Sequence, residues 1–387
     1  MASSTTSVGT VEDLEASATR ITTLTDFGGD DYREGLGVLL RSYADDEQLT
    51  ELGRRVKRSE LRGALVARLV SEVRFKQHAV DDAAVERPIF VTGIPRTGTT
   101  ALHRLLAADP GHQGLEQWLC DFPQPRPPRE TWPDNPVFQQ IKAGFAKFYA
   151  AKPEFAGVHY IDADTVEECW QLLRQSAMSI SYETLGHLPT YSAWLAAQDW
   201  TPAYARHKRN LALIGANDPG KRWVLKNPSH LFALDALLAV YPDAIIVQTH
   251  REIRTTLASS CSLSALATEG YSTRFVGATI GQDQLELLGR GADLFMAARD
   301  RHDPEHFYDV AFDDLARDAV GTVEAIYRHF DLPWTDEVRA AVEAEDVAGR
   351  SGPRAPKHHY ALADFGLSED QVDERFADYT ARYLPPR

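Results

Sequence analysis

Apolar residues recur along this chain in two rhythms, and the change of rhythm divides it. From Asp31 to about Val80 the spacing is helical. Leu36, Leu39, Leu40 and Tyr43 share one face, and Leu61, Leu65, Leu69 and Val73 share another. Residues 11–20 fit one more short helix, while the Ser/Thr-rich residues 1–10 read as frayed. Residues 1–85 are therefore expected to form an N-terminal helical extension, bounded by the charged stretch Asp81 to Arg87.

From residue 86 to 387 the pattern changes to short continuous apolar runs, each followed by a helical stretch. A strand at 88–92 precedes a helix from Gly98 to Ala108, and a strand at 222–225 precedes one from about Ser229 to Val240. A strand at 244–247 precedes a helix from Glu252 to Leu266, and one at 307–310 precedes a helix from Asp313 to Phe330. Strands that are apolar throughout and alternate with helices imply a parallel sheet covered on both faces. The expected fold class is α/β. The region from about 115 to 216 departs from the alternation, carrying Trp118, Trp132, Trp170, Trp194 and Trp200 and a proline-rich run at 123–128. It is expected to form a helical, aromatic-rich cap insertion over the sheet edge; the simpler alternative makes those aromatics its own core.

Composition narrows the functional classes. With 387 residues the chain can bury a large core, and its formal charge of −15 disfavours nucleic acid and anionic membranes as partners. Cys120, Cys169 and Cys261 are too few and too widely spaced for a metal pattern and suit a reducing compartment. The N-terminus lacks the basic and apolar regions of a secretion signal, and the apolar run from Leu231 to Tyr241 is too short to span a bilayer. A cytoplasmic enzyme acting on a small molecule is the expectation.

The candidate chemistry sits at strand ends, where open α/β sheets bind ligands. The strand at 88–92 runs into Gly93-Ile94-Pro95-Arg96-Thr97-Gly98-Thr99-Thr100, a glycine-bounded loop leading to a helix. Backbone N–H groups converge there to make an anion cradle. The string is close to the nucleotide-binding G-x-x-x-x-G-K-[ST], but Thr99 stands where the lysine belongs and the cation is Arg96. A kinase-type use of ATP and Mg²⁺ is thereby disfavoured.

Pro95-Arg96-Thr97-Gly98-Thr99-Thr100 resembles the P-[KR]-[ST]-G-T-[TS] loop of sulfotransferases, which binds the 5′-phosphosulfate of 3′-phosphoadenosine 5′-phosphosulfate (PAPS). Arg251 at a strand end, with Ser259 eight residues on, is similar to that family's 3′-phosphate site. Tyr308-Asp309 through Asp314-Leu315 resembles its late strand-to-helix segment. The resemblance covers about residues 86 to 387. It is nearest to bacterial members with a PRTGTT loop and has motifs similar to the tyrosylprotein branch.

Residue by residue, the resemblance implies that Arg96, Thr97, Gly98, Thr99 and Thr100 hold the phosphosulfate, while Arg251 and Ser259 clamp the 3′-phosphate. Lys226, in Leu225-Lys226-Asn227-Pro228, is similar to the strand-end lysine that reaches the cofactor's bridging oxygen. A basic, acid-free loop at 347–363 assigns Arg354 and Lys357 to the 3′-phosphate as well, although the family's R-K-G string is absent. Glu116 is the expected general base. It stands where tyrosylprotein-type members carry a Glu-Glu pair, here Glu116-Gln117, and burial under aromatics would raise its pKa. His230, at a helix start that disfavours imidazolium, is the competing base. The Glu167-Glu168 pair reads as a solvated helix face or an ion pair. The expected activity is sulfuryl transfer from PAPS, without metal, to a hydroxyl of a small and hydrophobic acceptor such as a lipid, phenol or secondary metabolite. The alternatives are a P-loop kinase and an inactive relative that binds PAPS or its desulfated product, PAP.

Overall fold

Five parallel strands form the sheet in the computed structural model, which describes residues 8–153, 155, 160–350 and 360–384. Before the sheet come α1 (Val11–Thr22), α2 (Asp31–Asp45) and α3 (Glu51–Gln77). The alternating part begins with β1 (Ile89–Gly93), α4 (Thr99–Ala107) and β2 (His112–Gln113). A helical stretch follows: α5 (Gln117–Asp121), α6 (Pro136–Ala151), α7 (Trp170–Arg174), α8 (Ser181–Thr184), α9 (Pro189–Ala196) and α10 (Thr201–Ile214). Alternation resumes with β3 (Arg222–Lys226), α11 (Leu234–Val240), β4 (Ile245–His250), α12 (Ile253–Ala267), α13 (Ala278–Arg299) and β5 (Phe307–Ala311). The C-terminal helices are α14 (Phe312–Arg317), α15 (Ala319–His329), α16 (Asp336–Arg350), α17 (Glu369–Arg375) and α18 (Ala377–Tyr383).

The strand order is β2-β3-β1-β4-β5, so β1 is central, with β3 on one side and β4 on the other. Successive side chains of a strand point to opposite faces. Ile89 and Val91 enter one core with Val224, Ile245, Val247 and the apolar faces of α4 and α15. Phe90, Leu225 and Ile246 enter a larger core on the other face. That second core is continuous with Leu14, Leu36, Leu39, Leu65 and Leu69 of the first three helices, and with Trp118 and Tyr204 of the helical stretch. The N-terminal helices therefore pack into the same apolar interior as one face of the sheet.

Three details differ from the sequence pattern, each for a local reason. The two-residue β2 is too short to leave a periodic signal. The helix expected from Ser229 begins instead as a 3₁₀ turn at Pro228–Leu231, where the Asn227 side chain accepts the Ser229 N–H, and α11 starts at Leu234. The helix expected over 313–330 breaks at Asp318, which leaves helical geometry to cap α15 through the Gly321 N–H. The tryptophans of the 115–216 region are mostly core. Trp118, Trp132 and Trp200 are buried, and Trp118 meets Trp132 and Phe138 edge-on.

Candidate active site

The switch in strand order around β1 opens a crevice at the carboxyl ends of β3, β1 and β4, the usual ligand position in such sheets. Three groups named from the sequence converge there. β1 delivers the loop from Ile94 to Gly98, β3 ends on Lys226, and Arg251 directly follows β4.

Backbone geometry explains the loop's composition. Gly93 has φ +147°, and a Cβ there would lie 2.7 Å from the Thr249 carbonyl oxygen. Gly98, the residue before α4, has φ +93°. Arg96 is also left-handed, at φ +75°, a conformation that costs a non-glycine residue energy and that clusters at functional sites. Its Nε donates to Ser259 Oγ at 3.1 Å, and its carbonyl accepts from Arg251 Nη1 at 3.1 Å. Burial, together with the neighbouring Arg251, pushes the Arg96 guanidinium below its ordinary pKa. Arg251 lies over the Phe312 ring, 4.1 Å from its centroid, and pairs with no carboxylate among the described residues. Glu252 instead caps α12 through the Arg254 and Thr255 N–H groups. Two arginines and a serine so arranged suit a polyanion, and the glycines leave room for its close approach to backbone.

Thr97 contributes less than its type suggests. Its side chain is fully buried and its hydroxyl is committed, at 2.7 Å from the Ile94 carbonyl and 2.5 Å from the Thr249 hydroxyl. Only its N–H can face an anion. Thr99 and Thr100 line the neighbouring cavity.

That cavity has a volume of about 440 Å³ and joins the loop to the helical region. Its apolar wall includes Phe145, Phe155, Trp170 and Leu263, and Glu167 and Glu168 also line it. Lys226 Nζ lies 2.5 Å from Glu168 Oε1 and 3.1 Å from Thr100 Oγ1. Lys226 is 2% exposed and Glu168 9%, so this ion pair is removed from water. Glu168 Oε2 is buried without a hydrogen-bond partner. Burial raises the Glu167 carboxyl above the usual range, against the pull of Lys226 and Arg104.

The two bases named from sequence lie elsewhere. Residues 115–118 run beside 163–167, with Glu116 bridged to Val166 and the Gln117 N–H donating to the Thr165 carbonyl. The backbone is extended at Glu116 and turns into α5 at Gln117, and the two side chains part there. Gln117 lines the 440 Å³ cavity, whereas Glu116 lines a separate cleft behind it. There Glu116 Oε2 accepts from Arg126 Nε at 3.0 Å, and Arg126 also holds Gln113, Asp218 and the Gly114 carbonyl. His230 is 1% exposed, lies edge-on to Phe90 with centroids 4.9 Å apart, and shares a 2.7 Å hydrogen bond with Tyr204 through Nδ1. Burial and the neighbouring His207 depress its pKa well below the ordinary value, but the 3₁₀ turn aims its ring into the core rather than at the cavity. Arg354 and Lys357 fall outside the described residues.

Glu168 was thus missed as a candidate and read only as half of a solvated or paired duo. The signal that could have found it was weak, since two adjacent acids lay in an aromatic-rich stretch with no helical period. The pairing with Lys226 spans 58 residues.

A family model described as "Sulfotransferase family" matches residues 88–336. The chain is 25% identical over 283 residues to the omega-hydroxy-beta-dihydromenaquinone-9 sulfotransferase Stf3 of Mycobacterium tuberculosis, covering 68% of each. It superimposes on the crystal structure of sulfotransferase STF1 from Mycobacterium tuberculosis H37Rv with a TM-score of 0.89 and 55% identity, over 96% of this chain and 99% of that one. Sulfotransferase STF9 from Mycobacterium avium gives a TM-score of 0.87 at 27% identity, over 97% of both chains. With the family model matching more than half of the chain and a solved relative 55% identical over 96% of it, this chain belongs to the sulfotransferase family and is an enzyme of the sulfotransferase class.

Proposed function

We propose that the chain transfers the sulfuryl group of PAPS to a hydroxyl of a small, largely apolar acceptor, with Glu168 as general base and Lys226 on the leaving side. The carrying observation is the buried contact between Lys226 and Glu168 at the edge of the anion loop, with Thr100 as the third member.

The chemistry asks little more of the protein. The acceptor oxygen forms a bond to sulfur, the bond from sulfur to the 5′-phosphate oxygen breaks, and the hydroxyl proton passes to Glu168. Such transfer depends mainly on positioning and charge stabilisation. Lys226 supplies positive charge for the departing phosphate, and Arg96 with the loop N–H groups holds its oxygens. Arg251 and Ser259 take the 3′-phosphate. In the resting pair Lys226 keeps Glu168 oriented while Oε2 remains without a protein partner. The apolar wall supports a hydrophobic acceptor, and the menaquinone-derived substrate named for Stf3 is consistent with it.

The test is a thermal-shift titration with PAP and with ATP plus Mg²⁺, followed by transfer from labelled PAPS across an acceptor panel. A ligand that binds the native state at a hundred times its Kd stabilises by about 2.7 kcal/mol. PAP should raise the unfolding temperature and ATP with Mg²⁺ should not. Equal stabilisation by both would favour a kinase.

A further inference from the structure

The cavity assigned to the acceptor also carries polar side chains that the transfer reaction does not use. Arg174, the last residue of α7, lines it together with Gln171, Ser181 and Glu60. Its Nε donates to Ser181 Oγ at 2.8 Å, its Nη1 to Gln171 Oε1 at 3.2 Å, and the Tyr182 ring lies beneath it. All of these partners are uncharged. No carboxylate lies within ion-pair distance of Arg174 among the described residues, and its Nη2 makes no hydrogen bond to any of them. The nearby acids are occupied elsewhere. Glu60 accepts from Lys57, which is 2% exposed, and Asp121 accepts from Gln117 and Gln171. By fixing Gln171 at 2.7 Å, Asp121 also fixes the group that orients Arg174. Close by, the buried Tyr43 hydroxyl has no hydrogen-bond partner.

A half-buried guanidinium held in place by neutral groups retains donor capacity directed at whatever fills the cavity. The wall shared with Glu168 is apolar. We infer that Arg174 selects acceptors carrying a second oxygen, a carboxylate or carbonyl, separated from the reacting hydroxyl by an apolar body. This rests on the assignment of the cavity to the acceptor. The substrate class is then a hydroxylated, mostly hydrocarbon compound with an oxygen acceptor at its far end, and Arg174 is a specificity residue that takes no part in the transfer.

The test uses the full chain saturated with PAP. Calorimetry compares ω-hydroxy fatty acids, their methyl esters and n-alkan-1-ols over a series of chain lengths, and a parallel assay with PAPS measures KM and kcat. A charged hydrogen bond predicts that the best hydroxy acid or ester binds roughly ten- to a hundredfold tighter than the alkanol of equal length. R174M should erase that preference while alkanol affinity, kcat and PAP stabilisation hold. R174K, which keeps charge but loses the fork, should restore part of the acid preference and little of the ester preference. A preference for the acid alone identifies a carboxylate, and a preference for both identifies a carbonyl oxygen. Equal binding of all three classes in the parent protein, failure of all three to bind, or a preference that survives in R174M overturns the inference. Selective binding without any sulfuryl transfer would count against the proposed activity while leaving the Arg174 selection standing.

Discussion

Lys226 Nζ and Glu168 Oε1 lie 2.5 Å apart at the carboxyl end of β3, in a pair that water barely reaches. Two charges taken out of water depend on each other. Removing one partner of such a pair costs about 3–5 kcal/mol, because the other is left uncompensated. K226M should therefore lower the unfolding temperature markedly, and the double variant K226M/E168Q should lose less than the sum of the two single changes. Additive losses in a thermal-unfolding cycle would mean that the contact does not bind the two side chains energetically.

Arg251 offers a test of nucleotide recognition. Its guanidinium lies over Phe312 and holds the Arg96 carbonyl, with no carboxylate partner among the described residues. R251A should weaken PAP binding by about 2–5 kcal/mol. AMP, which lacks the 3′-phosphate, should be nearly unaffected. An equal loss for both nucleotides would assign Arg251 to holding the loop rather than to reading the phosphate.

The buried histidines make stability depend on pH in a defined direction. Burial lowers His103 and His207 to about 3, and lowers His230 well below its ordinary value. Their unfolded pKa is about 6.5. Between those limits the unfolded chain binds more protons than the folded one. Stability from these residues is thus fully present above the unfolded pKa and is lost as pH falls from about 6.5 toward the folded value. Each should contribute up to about 1.4 kcal/mol per pH unit. Buried carboxyls such as Glu167 and Glu183, raised by burial, act in the opposite direction as pH falls, so the difference between H207Q and the parent isolates one ring. In urea unfolding between about pH 6.5 and 5, H207Q should lower the slope by about one histidine's share, and a slope equal to the parent's would contradict the burial of His207.

Much of this arrangement was legible in the chain. The continuous apolar runs at 89–91 and 245–247 announce buried parallel strands, and the glycine spacing of 93–98 announces a tight anion loop. Both are local signals. Lys226 and Arg251 were readable for a related reason, since each directly follows or ends such a run. The proposed base, Glu168, was not readable. Whether Glu116 or Gln117 faces the cavity depends on where the chain turns from extended backbone into the five-residue α5, too short an element to leave a periodic signal. Glu168 comes to Lys226 through a contact between distant parts of the chain, which no local period encodes. Asn227-Pro228 announces a helix start at His230, but the element there is a 3₁₀ turn that buries the ring against Phe90, which no local signal encodes. Thr97 shows the same limit at the scale of one hydroxyl, since the motif supplies the residue but its burial between the Ile94 carbonyl and the Thr249 hydroxyl commits it inside the loop.

The most direct measurement is single-turnover sulfuryl transfer by E168Q and E116Q, each saturated with PAPS and with the best acceptor of the panel. Loss of a general base typically lowers the rate by about 10²–10⁴. E168Q should fall by that amount while PAP affinity stays close to the parent value, because Arg96, Arg251 and Ser259 are untouched. E116Q should transfer at nearly the parent rate and be less stable, because it weakens the contact with Arg126 that secures the rear cleft. Near-normal transfer by E168Q together with a collapse in E116Q would contradict the assignment of Glu168 as the base.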